Sequence, residues 1–262
     1  MSNSRKKYLK KIHRENTFVV IFRVLLIVIF LIGWELLAKK GIINTFTFSS
    51  PYLVINTIGE LLNDGDLFLH IGVTLYETMI SFFLASIIGI VLATLLWSNT
   101  LISRIFDPYL TVLNSLPKVA LGPLIIIWVG ASINSIIFMS LLISTFISII
   151  NIYNGFINTD NSFLVLMKSL GATKWQIFTK VVFPSNYLNI ISALKVNISM
   201  NLIGVIMGEL LVSKEGVGYL IMYGSQVFNI NLVIAGVFIL GIISYFMYFI
   251  INKLEKFILK YK

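Results

Sequence analysis

Apolar runs of about twenty residues, each long enough for an α-helix to cross the hydrocarbon of a bilayer, constrain this chain more than any other feature. Lipid offers no partner to a backbone N–H or C=O. A spanning segment must therefore satisfy those groups internally, as a helix does and an isolated strand does not. Six runs qualify: Phe18–Leu37, Leu75–Trp97, Asp107–Val129, Ile133–Tyr153, Tyr187–Leu211 and about Leu232–Ile251. With 58% of 262 residues hydrophobic and only 12% charged, the chain does not match a soluble domain. The expected fold class is an all-α polytopic membrane protein with about six transmembrane helices.

The first run exceeds the apolar core of an ordinary signal peptide and ends in Ala38-Lys39-Lys40, not at a small-x-small cleavage site. It is expected to be a retained span with Arg23 and Glu35 snorkelling near its ends. Residues 39–70 are polar enough to lie outside the bilayer. Within them Ser50-Pro51 opens a short amphipathic helix from Tyr52 to Leu62. Residues 98–107 make a short polar connection. The third run contains Pro117, Lys118, Gly122 and Pro123, and a helix broken at membrane depth needs protein or a watery cavity around it. The expected organisation is a basic tail (1–17), a first span and external loop (18–71), a core that includes the loop 161–185 (72–222), and a last span with a second basic tail (223–262).

Net charge is +9. With the N-terminus inside, inner segments hold fourteen Lys and Arg, at positions 5, 6, 7, 10, 11, 14, 104, 168, 174, 180, 253, 256, 260 and 262; outer segments hold three, Lys39, Lys40 and Lys214. The positive-inside rule then places both termini and the 161–185 loop in the cytoplasm, with the chain in the cell membrane. This topology, not a nucleic-acid partner, accounts for the basic balance. There is no cysteine, and His13 and His70 lie far apart, so neither a disulfide nor a metal site is expected. No G-x-x-x-x-G-K-[ST] pattern is present to cradle ATP phosphates, and no G-x-S-x-G or H-E-x-x-H pattern marks a hydrolase. The chain is expected to be non-catalytic and to carry no cofactor of its own.

The stretch 161–194 has a different character. Leu166–Leu170 is expected to form a short helix, with Gly171 at a turn. Ala172–Val182 is expected to form a second helix that Pro184 ends, since the residue before proline is pushed out of the helical region. Trp175, Phe178 and Val182 fall at helical spacing and make one face apolar, while Lys174 and Lys180 keep the segment in water. Two helices this short cannot bury that face between them. They either lie on the membrane surface or dock on another protein.

The residues Ser169 to Phe178 (SLGATKWQIF), followed by Val181-Val182-Phe183-Pro184, resemble the cytoplasmic "EAA" coupling loop of ABC importer permeases. Among these they are most similar to the sulfonate, nitrate and taurine class. Val165, Leu166 and Met167 stand where the family has Glu-Ala-Ala, whereas Gly171 and Pro184 are kept. Shorter matches at Thr74-Leu75, Gly89, Leu116-Pro117, Pro123-Leu124, Trp128–Gly130 and the Glu-Leu-Leu at 209–211 extend the resemblance over roughly residues 50–222. Glu77 and Ser81 replace an Arg and a Gly of the family.

The resemblance implies the permease subunit of an importer working as a homodimer by alternating access. Two cytoplasmic ABC ATPase subunits would hold ATP and Mg, and an extracytoplasmic solute-binding protein would deliver the solute. Sulfonate, nitrate, taurine and thiamine-precursor pyrimidines are the implied solutes. Leu166, Ser169, Leu170, Gly171 and Ala172, with Lys174, Trp175, Phe178 and Pro184, would form the ATPase-coupling set.

Polar residues inside the spans are the remaining candidates. Ala193, Asn197, Asn201, Gly204 and Gly208 recur at steps of four, four, three and four, so they share one helix face. That face either packs inside the subunit or borders the translocation pathway at a dimer seam. Glu209 follows directly; an intramembrane carboxylate is a functional candidate, here either bonding the backbone of the outer Gly216–Ile221 loop or touching solute. Lys118 is placed either to attract an anion or as an ordinary basic residue. Two other classes stay open: a channel or secondary transporter whose 161–185 loop is a surface helix pair, and a membrane-embedded enzyme. The absence of a visible internal repeat counts against an inverted-repeat transporter, and no nucleophile–base set can be assembled for an enzyme.

Overall fold

Helix caps and proline positions divide the apolar runs into discrete elements. The computed structural model describes the backbone of residues 3–260 and the side chains of residues 14, 15, 17–253, 255 and 256. The side chains at 5, 6, 7, 10, 11, 260 and 262, counted above, and that at 13 lie outside those described. All regular structure among the described residues is helical: α1 (Asn3–Lys39), α2 (Thr45–Phe48), α3 (Pro51–Asn63), α4 (Asp66–Ser98), α5 (Thr100–Ser115), α6 (Gly122–Val129), α7 (Ile133–Ile157), α8 (Asn161–Ser169), α9 (Lys174–Ile177), α10 (Phe183–Ser185), α11 (Tyr187–Val212), α12 (Val217–Gln226) and α13 (Ile230–Lys260).

Local chemistry sets the boundaries. Ser50 accepts from the Leu53 N–H at 3.3 Å and Pro51 takes the first helical position, so α3 begins where its cap allows. The polar connection expected at 98–107 is helical in all but Asn99. Asn99 alone joins α4 to α5, its side chain accepting from the N–H groups of Leu101 at 2.9 Å and Ile102 at 3.4 Å. The third run therefore starts at Thr100 rather than Asp107. It also does not cross in a straight line: Pro117 forces Leu116 into extended backbone (ψ 139°). A 3₁₀ turn, Lys118–Leu121, then redirects the chain into α6. The two halves meet at a bend of 82°. Five helices are long and apolar enough to cross a membrane, and the bent pair makes a sixth if it counts as one span.

Helices α4, α7 and α11 form the centre. A Cβ at Gly204 of α11 would fall far inside contact with the Ser140 Cα of α7, and one at Gly208 would stand 2.8 Å from Ile136 Cγ2. Lipid tails are as apolar as leucine, so helix association in a bilayer relies on such close approach and on interhelical hydrogen bonds. Helices α12 and α13 pack on one side of this centre, and α3 covers α13. Helix α1 lies at the periphery with its apolar side chains exposed, touching the rest through a stacked Trp34–Phe238 pair at 6.3 Å. Glu35 does not simply snorkel: it accepts from the Tyr52 N–H at 3.1 Å and so fixes the start of α3. A residue not singled out in the sequence, Lys195 of α11, pairs with Glu255 and donates to Asn252 at 3.4 Å, tying α11 to α13.

Replacing Gly204 tests the centre. Gly204→Val should lower the detergent-solubilised melting temperature, since over-packing a core costs roughly 1–3 kcal/mol. Gly72→Val, where a Cβ meets nothing within 4 Å, should leave it nearly unchanged. Equal melting of the two variants would contradict the α7–α11 crossing.

Candidate functional site

The loop between α7 and α11 is built from three local devices. Asp160 starts α8: its carboxylate accepts from the Ser162 hydroxyl at 2.6 Å and N–H at 2.9 Å, and these bonds hold it below the usual carboxylate range. Helix α8 ends in a Schellman motif. The Gly171 N–H bonds the Lys168 carbonyl and the Ala172 N–H bonds the Met167 carbonyl, both at 3.0 Å. This geometry needs the positive φ that Gly171 adopts (74°). A capping box then opens α9, with Gln176 N–H donating to Thr173 Oγ1 at 3.3 Å and Thr173 N–H donating to Gln176 Oε1 at 2.8 Å. The T-x-x-Q signal for this box was present in the sequence.

Pro184 does not end the second helix as expected. It lacks an N–H for the Lys180 carbonyl, and the ladder widens into a π turn over Phe178–Val182, where the Phe183 N–H reaches the Phe178 carbonyl. The chain stays helical through Ser185 and redirects at Asn186. There the Asn186 amide donates to Thr159 Oγ1 at 2.7 Å and to the Val182 carbonyl at 2.9 Å. This latch holds the end of the loop against the end of α7.

The loop has an exposed face and a buried one, which meet where the Trp175 ring stacks on Phe178 at 5.5 Å. Leu166, Leu170 and Trp175 are 54%, 73% and 65% exposed. Ser169, Gly171, Lys174 and Pro184 are exposed as well, Lys174 with its Nζ 6.0 Å over the Trp97 ring, and Ala172 is half-buried. Phe178 belongs to the other face: it is 5% exposed, so its expected place among the docking anchors is corrected. Its ring packs on Trp97 of α4 at 5.0 Å and edge-on to Phe156 of α7 at 5.4 Å. Ile177 and Val182 join the same cluster, which reaches Ile190 and Ala193 of α11. Phe178 thus joins the loop to all three central helices. The helical spacing was legible, but which aromatic faced inward depended on partners some 80 residues away at Trp97.

Of the two places open to the Ala193–Gly208 face, packing inside the subunit or a pathway or dimer seam, the residues take the first. Asn197 and Asn201 are fully buried, and Ala193, Gly204 and Gly208 are buried with them. Asn201 Oδ1 accepts from Ser140 at 2.9 Å and Ser144 at 3.0 Å, its amide donates to the Asn197 carbonyl oxygen at 2.8 Å, and the Asn197 amide donates to Ser86 at 2.9 Å. These bonds link α11 to both α7 and α4. No sequence signal identified the serine partners, which lie 57 to 111 positions away.

Glu209 bonds the backbone of the Gly216–Ile221 segment, one of its two expected roles, and that segment opens α12. Its Oε2 accepts from the Gly218 N–H and its Oε1 from Thr74 Oγ1, both at 2.6 Å. Thr74 Oγ1 accepts in turn from the Val217 N–H at 2.9 Å, and His70 Nδ1 from the Gly216 N–H at 2.9 Å. Three backbone donors opening α12 are thereby satisfied by α4 and α11 side chains. Glu77 brings a second carboxyl group to Glu209, and its Oε2 has no partner among the described residues. Lys118, at the bend, donates to the Asn114 carbonyl at 3.1 Å and lies 5.6 Å over the Phe146 ring.

Known proteins resemble this chain in sequence and in fold. A family model described as "Binding-protein-dependent transport system inner membrane component" matches residues 85–260. A Haemophilus influenzae protein named as an ABC transporter permease is 31% identical over 233 residues, covering 88% of this chain and 93% of its own. A formylaminopyrimidine transport permease protein of Halalkalibacterium halodurans is 29% identical over 234 residues, with 87% and 91% covered. A Bacillus subtilis permease protein named for aliphatic sulfonates transport is 27% identical over 229 residues, with 87% and 83% covered. Among solved structures, an inward-facing MetNI methionine ABC transporter chain superposes with TM-score 0.64 at 18% identity, over 71% of this chain and 93% of that one; at that identity the likeness is one of fold.

Two substitutions test this geometry. Phe178→Ala removes the link between loop and bundle and should cost about 3–5 kcal/mol locally, read as faster proteolysis within 161–186 and a lower melting temperature. Glu209→Ala strands the Thr74 hydroxyl and Gly218 N–H at roughly 1–3 kcal/mol each. It should speed hydrogen exchange in 213–222, and unchanged exchange there would remove Glu209 from the clamp.

Proposed function

The chain belongs to the binding-protein-dependent transport system inner membrane components, the permeases of ABC importers, and from that premise we propose that it forms half of a homodimeric pathway driven by two separate ATPase subunits. The observation carrying this reading is the two-sided loop: Leu166, Leu170 and Trp175 stand exposed on a segment whose other face is held to the central helices by Phe178. Two leucines at helical spacing at the end of α8 and a tryptophan on α9, across the Gly171 turn, suit docking in a groove of an ATPase. Motion imposed on that contact reaches α4, α7 and α11 through the Phe178 cluster.

ATP and Mg belong to the ATPase subunits, and a solute-binding protein meets the opposite face. The distribution of Lys and Arg supports both termini and the loop in the cytoplasm. Alternating access follows if ATP-bound subunits bind the outward-open state more tightly, since a ligand indifferent between two states shifts neither. The solute is small and polar; the relatives are named for sulfonates and formylaminopyrimidine, and those classes are the first to assay.

The deciding experiment is co-purification with the separate ABC ATPase subunit that this reading requires. Burying one large side chain contributes roughly 1.5–3 kcal/mol, so Leu170→Asp should weaken ATPase retention by about tenfold or more and abolish ATP-driven uptake while the helices melt as in the parent. A loop lying on the membrane surface predicts that Leu170→Asp retains the ATPase undiminished, and that result would falsify the docking model. Gly171→Val, which cannot take the required φ without strain, should insert normally yet lose transport.

A further inference from the structure

A second polar face, distinct from the buried Asn197–Asn201 network, opens on the outside of the central helices. Asn151 and Asn154 of α7, with Asn158 at its C-cap, lie at spacings of three and four. Asn189 and Ser192 stand opposite on α11, and together they line a groove of about 330 Å³. All five are exposed. Asn189 donates to Asn186 at 2.8 Å, but the three α7 amides have no protein partner among the described residues.

Depth makes this costly in lipid. Helix α7 has 25 residues, about 37 Å at ~1.5 Å per residue, against a hydrocarbon thickness of about 30 Å. If all of that excess lay at the loop end, Asn151 would still sit within the hydrocarbon, about 9 Å from the helix terminus. An amide facing acyl chains there lacks partners for both its donors and its acceptor, at several kcal/mol by transfer scales. Elsewhere on the bundle the outward faces follow the opposite rule: α1 presents Val, Ile, Leu and Phe.

We propose that this asparagine groove is the loop-side half of the solute route, filled with water and closed on its far wall by the same groove of a second copy. The proposal rests on the importer reading above and locates its pathway on α7 and α11. Water supplies the missing amide partners, and a twofold axis places like groove against like groove, as a self-complementary dimer requires. The walls carry hydrogen-bonding groups without fixed charge, which lets a solute exchange its hydration for amides and release them again.

The chain contains no cysteine, so single cysteines report directly. The probe is a membrane-impermeant methanethiosulfonate reagent applied to inside-out vesicles holding the assembled transporter, with and without ATP and vanadate. Asn151→Cys and Asn154→Cys should react without nucleotide and lose that reaction in the trapped state. Asn197→Cys and Asn201→Cys should stay unreactive in both. Protection of Asn151→Cys and Asn154→Cys in every state, in vesicles that retain the ATPase, overturns the proposal. Equal reaction in both states, again with ATPase retained, also overturns it and leaves only a solvated crevice. Failure of the unmodified chain to retain an ATPase would sink the docking model instead, and groove reactivity is still read in that preparation.

Discussion

Helices α7 and α11 cross closer than side chains normally allow, and the rest of the molecule depends on that crossing. Gly204 and Gly208 bring the α11 backbone onto Ser140 and Ile136, and the same approach lets Asn201 receive the Ser140 and Ser144 hydroxyls. A bilayer supplies no hydrophobic force between helices, so contact area and hydrogen bonds must hold them together. Small residues and buried amides act jointly here. The glycines remove the volume that would separate the backbones, and the amides find partners only because that volume is gone.

From this centre, polar clamps reach both ends of the bundle by the same logic. At one end Glu209, Thr74 and His70 satisfy the backbone N–H groups that open α12, so the segment after α11 is held by side chains of two central helices. At the other, Asn186 latches to Thr159 and the Phe178 ring sits among Trp97 and Phe156. The 161–186 segment is therefore an extension of the bundle, unlike a loosely tethered loop. The π turn before Pro184 is part of this: it keeps the chain helical past a residue that would otherwise stop it, which delivers Phe178 and Val182 to the interior.

Much of this was legible in the residues. Run length and the bilayer's demand for internal hydrogen bonding dictated the helices, and Gly171 foretold the turn it makes. Other features were hidden because they depend on residues far apart in the chain. Trp175 and Phe178 lie on the same short helical stretch, yet one is exposed and the other buried, according to where Trp97 and Phe156 stand. The Asn197–Asn201 face was correctly identified as a face, but its direction was open: a polar face in a span turns either to water or to other polar side chains, and the serines of α7 and α4 decide. Conversely, Asn151, Asn154 and Asn158 carried a visible spacing near the end of a span, and nothing in that spacing distinguished an outward groove from an interior pair.

The sequence by itself determined that this is a helical membrane protein, that its third run breaks at Pro117, and that a two-helix loop interrupts its spans. Those outcomes rest on local quantities: apolar length, backbone φ, caps and the missing N–H of proline. Tertiary structure alone decided which polar residues were spent on holding helices together and which were left facing outward, the former at Asn197, Asn201 and Glu209, the latter at the α7 asparagines. A buried polar group is settled by the partner that satisfies it, and that partner is fixed only when helices distant in sequence have packed.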